Sequence, residues 1–104
     1  MEIEELVERV EGVSARYAES LGFERSSEWF LLKLQEEVGE LVQAFLMQQG
    51  MARSKGRDQV ELDAEFRDEI ADVFCQVLLL ARHRGVDLTA AVAEKWFVWE
   101  AGRR

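Results

Sequence analysis

Two short runs of this sequence hold closely spaced carboxylates: Glu36, Glu37 and Glu40 in KLQEEVGEL, and Glu69 and Asp72 in DEIADVF. Glu37 and Glu40 are three residues apart, as are Glu69 and Asp72, so on helices each pair projects from one face. At roughly 100° per residue, Glu37 and Glu69 lie about 70° from the centre of their helices' apolar stripes, and Glu40 and Asp72 about 130°. Both pairs therefore run from the edge of a core outward. If the two helices pack as antiparallel neighbours, all four carboxylates converge on one seam. Four carboxylates in a partly buried groove repel one another unless a cation neutralises them. Hard oxygen ligands without histidine or thiolate select Mg²⁺, Mn²⁺ or Ca²⁺. Mg²⁺ keeps waters and substrate phosphates in its shell, so an acidic protein can hold an anionic phosphate ester through the ion. Lys33, Lys95 and the cluster Arg53, Lys55 and Arg57 are available for the outer phosphates. The same spacing also fits a solvated acidic face, where Glu and Asp are common.

The elements that must position these residues read as helices. Ile3, Leu6, Val7, Val10, Val13, Tyr17 and Leu21 recur at helical spacing and predict a first helix over 2–21, with Gly22 suited to its C′ position. Ser26 or Ser27 can cap a second helix that runs to about residue 49, on the stripe Phe30, Leu34, Leu41 and Phe45. Residues 50–60 lose the pattern and read as a mobile basic loop. Asp58 and Glu61 have the spacing of a capping box ahead of a third helix over 61–84, whose stripe includes Leu62, Phe66, Ile70, Val73, Phe74 and Val77. A fourth helix is expected over 88–100, capped by Asp87 or Thr89. No segment reads as a strand. The expected architecture is all-α, four helices in an up-down arrangement.

Composition narrows the function classes. The 104 residues suit one domain spanning 1–104, and 48% apolar with 33% charged residues fits a globular rather than a disordered chain. Absent proline and scarce glycine disfavour loop-rich and all-β folds. A net charge of −8 argues against a nucleic-acid polymer as partner. No apolar run approaches the ~20 residues of a membrane span, so no membrane partner is expected. The acidic start resembles neither a signal nor a transit peptide. A lone Cys75 excludes an internal disulfide and is compatible with a reducing cytoplasm, the expected location. His83, the one histidine, reads as a solvated residue complementing a helix C-terminus. Cys75 lies opposite its helix's stripe and reads as a surface or interface residue. Trp29, Trp96 and Trp99 are read as core or subunit interface, though any of them could stack on a base.

The runs KLQEEVGELVQAF and EFRDEIADVFCQVLLLA resemble the MazG-like nucleoside triphosphate pyrophosphohydrolases, whose hallmark is EExxE followed by ExxD. Here that reads Glu36-Glu37-Val38-Gly39-Glu40, 28 intervening residues, then Glu69-Ile70-Ala71-Asp72. Lys33 ahead of the first motif, the GVDL turn at 85–88 and the following AEKW also match, so the resemblance covers about residues 26–98. It implies an all-α enzyme, assembled as a dimer or tetramer, that uses Mg²⁺ (or Mn²⁺) to cleave a nucleotide between its α and β phosphates. Carried over by position, Glu37, Glu40, Glu69 and Asp72 would be metal ligands, and Glu36 would orient or deprotonate the attacking water. Lys33, Lys95, Arg53, Lys55 and Arg57 would contact substrate. The chain departs from the family's KxxxNxxR pattern after the last motif. Lys95 is present, but Trp99 stands where Asn is expected and Gly102 where Arg is expected, with Arg103 and Arg104 following. That departure keeps open a catalytically silent protein on the same fold, used for metal binding, association or regulation.

Overall fold

The computed structural model describes residues 1–100 and Gly102. Arg103 and Arg104, which follow the expected C-terminal basic position, lie outside the described residues. Four helices, α1 (Ile3–Leu21), α2 (Ser27–Gln48), α3 (Gln59–His83) and α4 (Leu88–Trp96), lead into one 3₁₀ turn at Phe97–Trp99, with no strand among the described residues.

The helix boundaries follow from local chemistry. Ser26 Oγ accepts the Trp29 N–H at 3.0 Å and starts α2. Asp58 and Glu61 complete a reciprocal box: the Glu61 N–H donates to Asp58 Oδ1 at 2.9 Å, and the Asp58 N–H to Glu61 Oε1 at 3.1 Å. That box starts α3 at Gln59 rather than at 61. Gly22 takes a left-handed φ of 72°, which lets its N–H and that of Phe23 close back on Glu19 and Ala18. The fourth helix stops at Trp96 instead of reaching 100. Four bulky apolar residues follow one another at Trp96–Trp99, and the last three wind into the tighter turn.

The body of the fold is the antiparallel pair α2 and α3. At one end Gln48 Nε2 donates to Asp63 Oδ1 at 3.1 Å. At the other, Arg84 Nη1 donates to Ser27 Oγ at 3.2 Å, and His83 Nε2 lies 3.0 Å from the same hydroxyl. Phe30, Ala44 and Met47 of α2 are buried with Leu62, Leu78, Leu79 and Ala81 of α3, and α1 adds Ala18. Charged pairs fix α1 across the C-terminal half of α3. Arg82 grips Glu8 with two bonds of 2.8 and 3.1 Å. Arg25 grips Glu11 with bonds of 2.6 and 2.8 Å and reaches Ser14 Oγ at 3.0 Å. Such bidentate, charge-assisted contacts impose orientation as well as energy. The fourth helix packs only sparingly against the other three.

The chain is open for its length. Its radius of gyration is 16.6 Å, against about 13 Å for a compact domain of this size. On one flank of the α2/α3 pair, Val38, Val42, Phe45, Ile70 and Phe74 are each 42–52% exposed. Phe45 and Phe66 join the two helices across this flank, their ring centroids 6.0 Å apart. The carboxylates occupy the opposite flank of the same pair.

Candidate functional site

Glu37 is the pivot of the acidic flank. It is buried on α2, at 9% exposure, while Glu36 and Glu40 on the same helix are exposed. On α3, Glu69 is half-buried and Asp72 exposed. Two sets of three carboxylates result, Glu36/Glu37/Glu40 and Glu37/Glu69/Asp72, and within each set one oxygen per residue lies within 4.8 Å of the others. The structure thus brings all five sequence-expected carboxylates together, with Glu37 common to both sets.

The electrostatics are those of closely grouped, partly buried acids. Glu37 Oε2 and Glu69 Oε2 are shut off from solvent and paired with no donor, an expensive condition for a buried acceptor. Burial, then a hydrogen bond and charge from Glu40, then the charges of Asp72 and Glu69 push the Glu37 carboxyl up to about 7. Burial, followed by the Glu40 and Asp72 charges, also raises Glu69. A divalent cation relieves each of these causes at once, and an all-oxygen donor set suits a hard ion. Cys75 is half-buried beside Asp72, and burial raises its thiol, which keeps it protonated and outside that donor set. His83 sits in the last turn of α3 against the Phe30 ring, with centroids 4.9 Å apart, and is no part of the cluster.

The cationic residues divide into two groups. Lys33 Nζ is 3.4 Å from Glu36 Oε1. Lys55 and Arg57 share a cleft of about 160 Å³ with Glu40, Gln43 and Glu69, and Arg57 pairs with Glu65 at 2.9 Å. Lys55 holds a left-handed φ of 57°, beside Gly56 at 83°, so the loop turns sharply where it faces the carboxylates. Arg53 and Lys95 are exposed, make no ion pair among the described residues and do not line that cleft. The short, sparingly packed α4 accounts for the placement of Lys95.

Two polar neighbours escaped the sequence reading. Glu65, which holds Arg57, lies four residues before Glu69, and Gln76 lies four residues after Asp72. One further helical turn on the same face was the signal that could have found them.

A family model described as the MazG nucleotide pyrophosphohydrolase domain matches residues 25–96. No curated protein and no solved structure matches the chain.

Proposed function

The chain belongs to the MazG nucleotide pyrophosphohydrolase family, and from that premise we propose that it is a Mg²⁺-dependent hydrolase cleaving an NTP or dNTP between its α and β phosphates, to a nucleoside monophosphate and pyrophosphate. The supporting observation is the pair of carboxylate sets sharing Glu37, each within 4.8 Å, with unpartnered oxygens on Glu37 and Glu69. Glu37, Glu40, Glu69 and Asp72 hold the ion in this reading. When bound, Mg²⁺ neutralises phosphate charge and polarises the phosphorus toward water, with Mn²⁺ a possible substitute.

The chain's own residues supply the rest. Glu36 stands at the solvent edge of the cluster, where it can take a proton from the attacking water. Lys33 holds the Glu36 carboxylate in place. Lys55 and Arg57 flank the cleft beside Glu40 and Glu69, a suitable bed for the departing pyrophosphate. Arg57 must leave Glu65 to reach it. Arg53, exposed in the same loop, can join only if the loop folds inward. Lys95 is assigned to substrate from a second chain, since α4 stands apart from the carboxylates of its own.

Assembly as a homodimer or homotetramer belongs to the same proposal. The open shape and the apolar flank of α2 and α3 supply a surface for a second copy. A cytoplasmic location fits a nucleotide hydrolase whose one cysteine is free. Among the described residues no helix is long and apolar enough to cross a membrane.

The direct test is pyrophosphate release from a panel of ribo- and deoxyribonucleoside triphosphates with Mg²⁺. Release from at least one, abolished by a chelator, is expected. Metal binding with no release from any of them would turn the protein into the silent binding module instead.

A further inference from the structure

Beside the acidic flank, α1, α2 and α3 enclose a second cavity of about 380 Å³. Asp72 and Lys33 form part of its wall, so it is continuous with the carboxylate cluster. The remainder is mostly apolar, with Tyr17 and Trp29 contributed by α1 and α2 and Cys75 and Gln76 by α3. Its aromatic wall is held from behind: Phe23 lies 6.0 Å from Tyr17 and 5.2 Å from Trp29, and Phe30 lies 5.1 Å from Trp29, centroid to centroid. Gln76 Oε1 is shut off from solvent with no hydrogen-bond partner. Apart from Glu37 and Glu69, no other buried side-chain oxygen or nitrogen among the described residues lacks a partner.

The geometry points to this cavity as the nucleobase site, with the base stacked on the Trp29/Tyr17 wall and its hydrogen-bonding edge read by the Gln76 amide. The inference rests on the nucleotide reading above and adds the residue that sets base preference. Flat π-faces stack on aromatic side chains whatever the base. The amide offers an acceptor and two donors, the complement of a base edge that places an N–H beside an acceptor. Rotation of the Gln76 amide brings Oε1 from its solvent-shielded position to a base N–H in the cavity, the donor it lacks. Asp72 and Lys33 at the wall then place the sugar between base and cluster, so the α-phosphate arrives at the carboxylates. A second copy of the chain covering the cavity would bury its apolar wall but leave the amide unexplained.

Two measurements test it. In the full chain carrying Trp96→Phe and Trp99→Phe, Trp29 is the one remaining indole. Its emission should change saturably with the four nucleoside 5′-monophosphates in Mg²⁺, and not with ribose 5-phosphate. Separately, the ratio of kcat/KM between the best and worst of the four triphosphates should shrink roughly tenfold or more in Gln76→Leu, since a buried hydrogen bond to the base is lost. A merely structural role for Gln76 lowers all four rates and preserves the ratio, which overturns the inference. Turnover with Trp29 silent overturns it and leaves the function standing. Emission that follows protein concentration but not nucleotide assigns the cavity to a second chain and also overturns it. If Gln76→Leu fails to fold, the Trp29 response in the Gln76-intact protein decides alone. Neither turnover nor any nucleotide response removes both proposals together.

Discussion

Glu37 on α2 and Glu69 on α3 bring carboxylate oxygens within 4.8 Å of each other, and the Oε2 of each is buried without a partner. The fold therefore holds like charges together across its central helix pair.

Stability should report that repulsion through pH. Glu37 titrates at about 7 in the fold against 4.5 for an ordinary glutamate. A carboxyl with a raised folded value stabilises the fold fully below about 4.5, and that contribution is lost as pH rises through about 7. Glu69 acts in the same direction. Glu11 acts oppositely, because Arg25 lowers it and its contribution disappears only as pH falls below the ordinary glutamate range. Melting in chelator should therefore show a falling Tm from pH 5 to pH 8, flattened by Glu37→Gln. A Tm that holds or rises across that interval contradicts the buried cluster.

Metal should reverse the slope. An ion bound only by the folded chain stabilises by mass action, and at 100 times its Kd the gain is about 2.7 kcal/mol. Millimolar Mg²⁺ or Mn²⁺ should raise Tm more at pH 8 than at pH 6, since protons compete for Glu37. Glu37→Gln and Asp72→Asn should weaken the response. Calorimetry in two buffers of different ionisation enthalpy should detect proton release near pH 6.5. Equal shifts from matched NaCl would reduce the effect to ionic strength.

Ligand and base roles separate by substitution. Glu40→Gln should weaken metal binding and turnover together. Glu36→Gln should leave metal affinity near wild type and slow turnover by roughly 10²–10⁴-fold, as for a lost general base. Full activity in Glu36→Gln would remove it from the chemistry.

The apolar flank predicts the state of assembly. Light scattering at micromolar concentration should give a dimer or larger. Phe74→Glu, a charge placed on that flank, should lower the mass toward a single chain. A wild-type monomer throughout would leave the exposed flank without an occupant.

Local capping is testable by itself. Asp58→Ala removes the reciprocal bonds with Glu61 and should cost about 1 kcal/mol in denaturant unfolding. No measurable loss would mean that packing alone holds the start of α3.

Periodicity and composition, acting along the chain, were enough to determine four helices, the Asp58 cap and the face that each carboxylate occupies, and to narrow two further caps to Ser26 or Ser27 and Asp87 or Thr89, of which the structure uses Ser26 and Asp87. These are short-range properties: 3.6-residue spacing and the unpaired N–H groups of a helix start do not depend on what packs nearby. The family, too, was readable, because its signature is a set of spacings. Only tertiary structure decided which cations meet the acids. Arg53, Lys55 and Arg57 are near neighbours in sequence, but the turn at Lys55 and Gly56 and the pull of Glu65 aim two of them at the cleft. Lys95 has its expected motif context yet rides on a helix that the other three barely touch. The orphaned oxygens of Glu37, Glu69 and Gln76 are likewise tertiary facts. Burial is a sum over all neighbours in space, and a helical pattern specifies a direction without specifying what lies there.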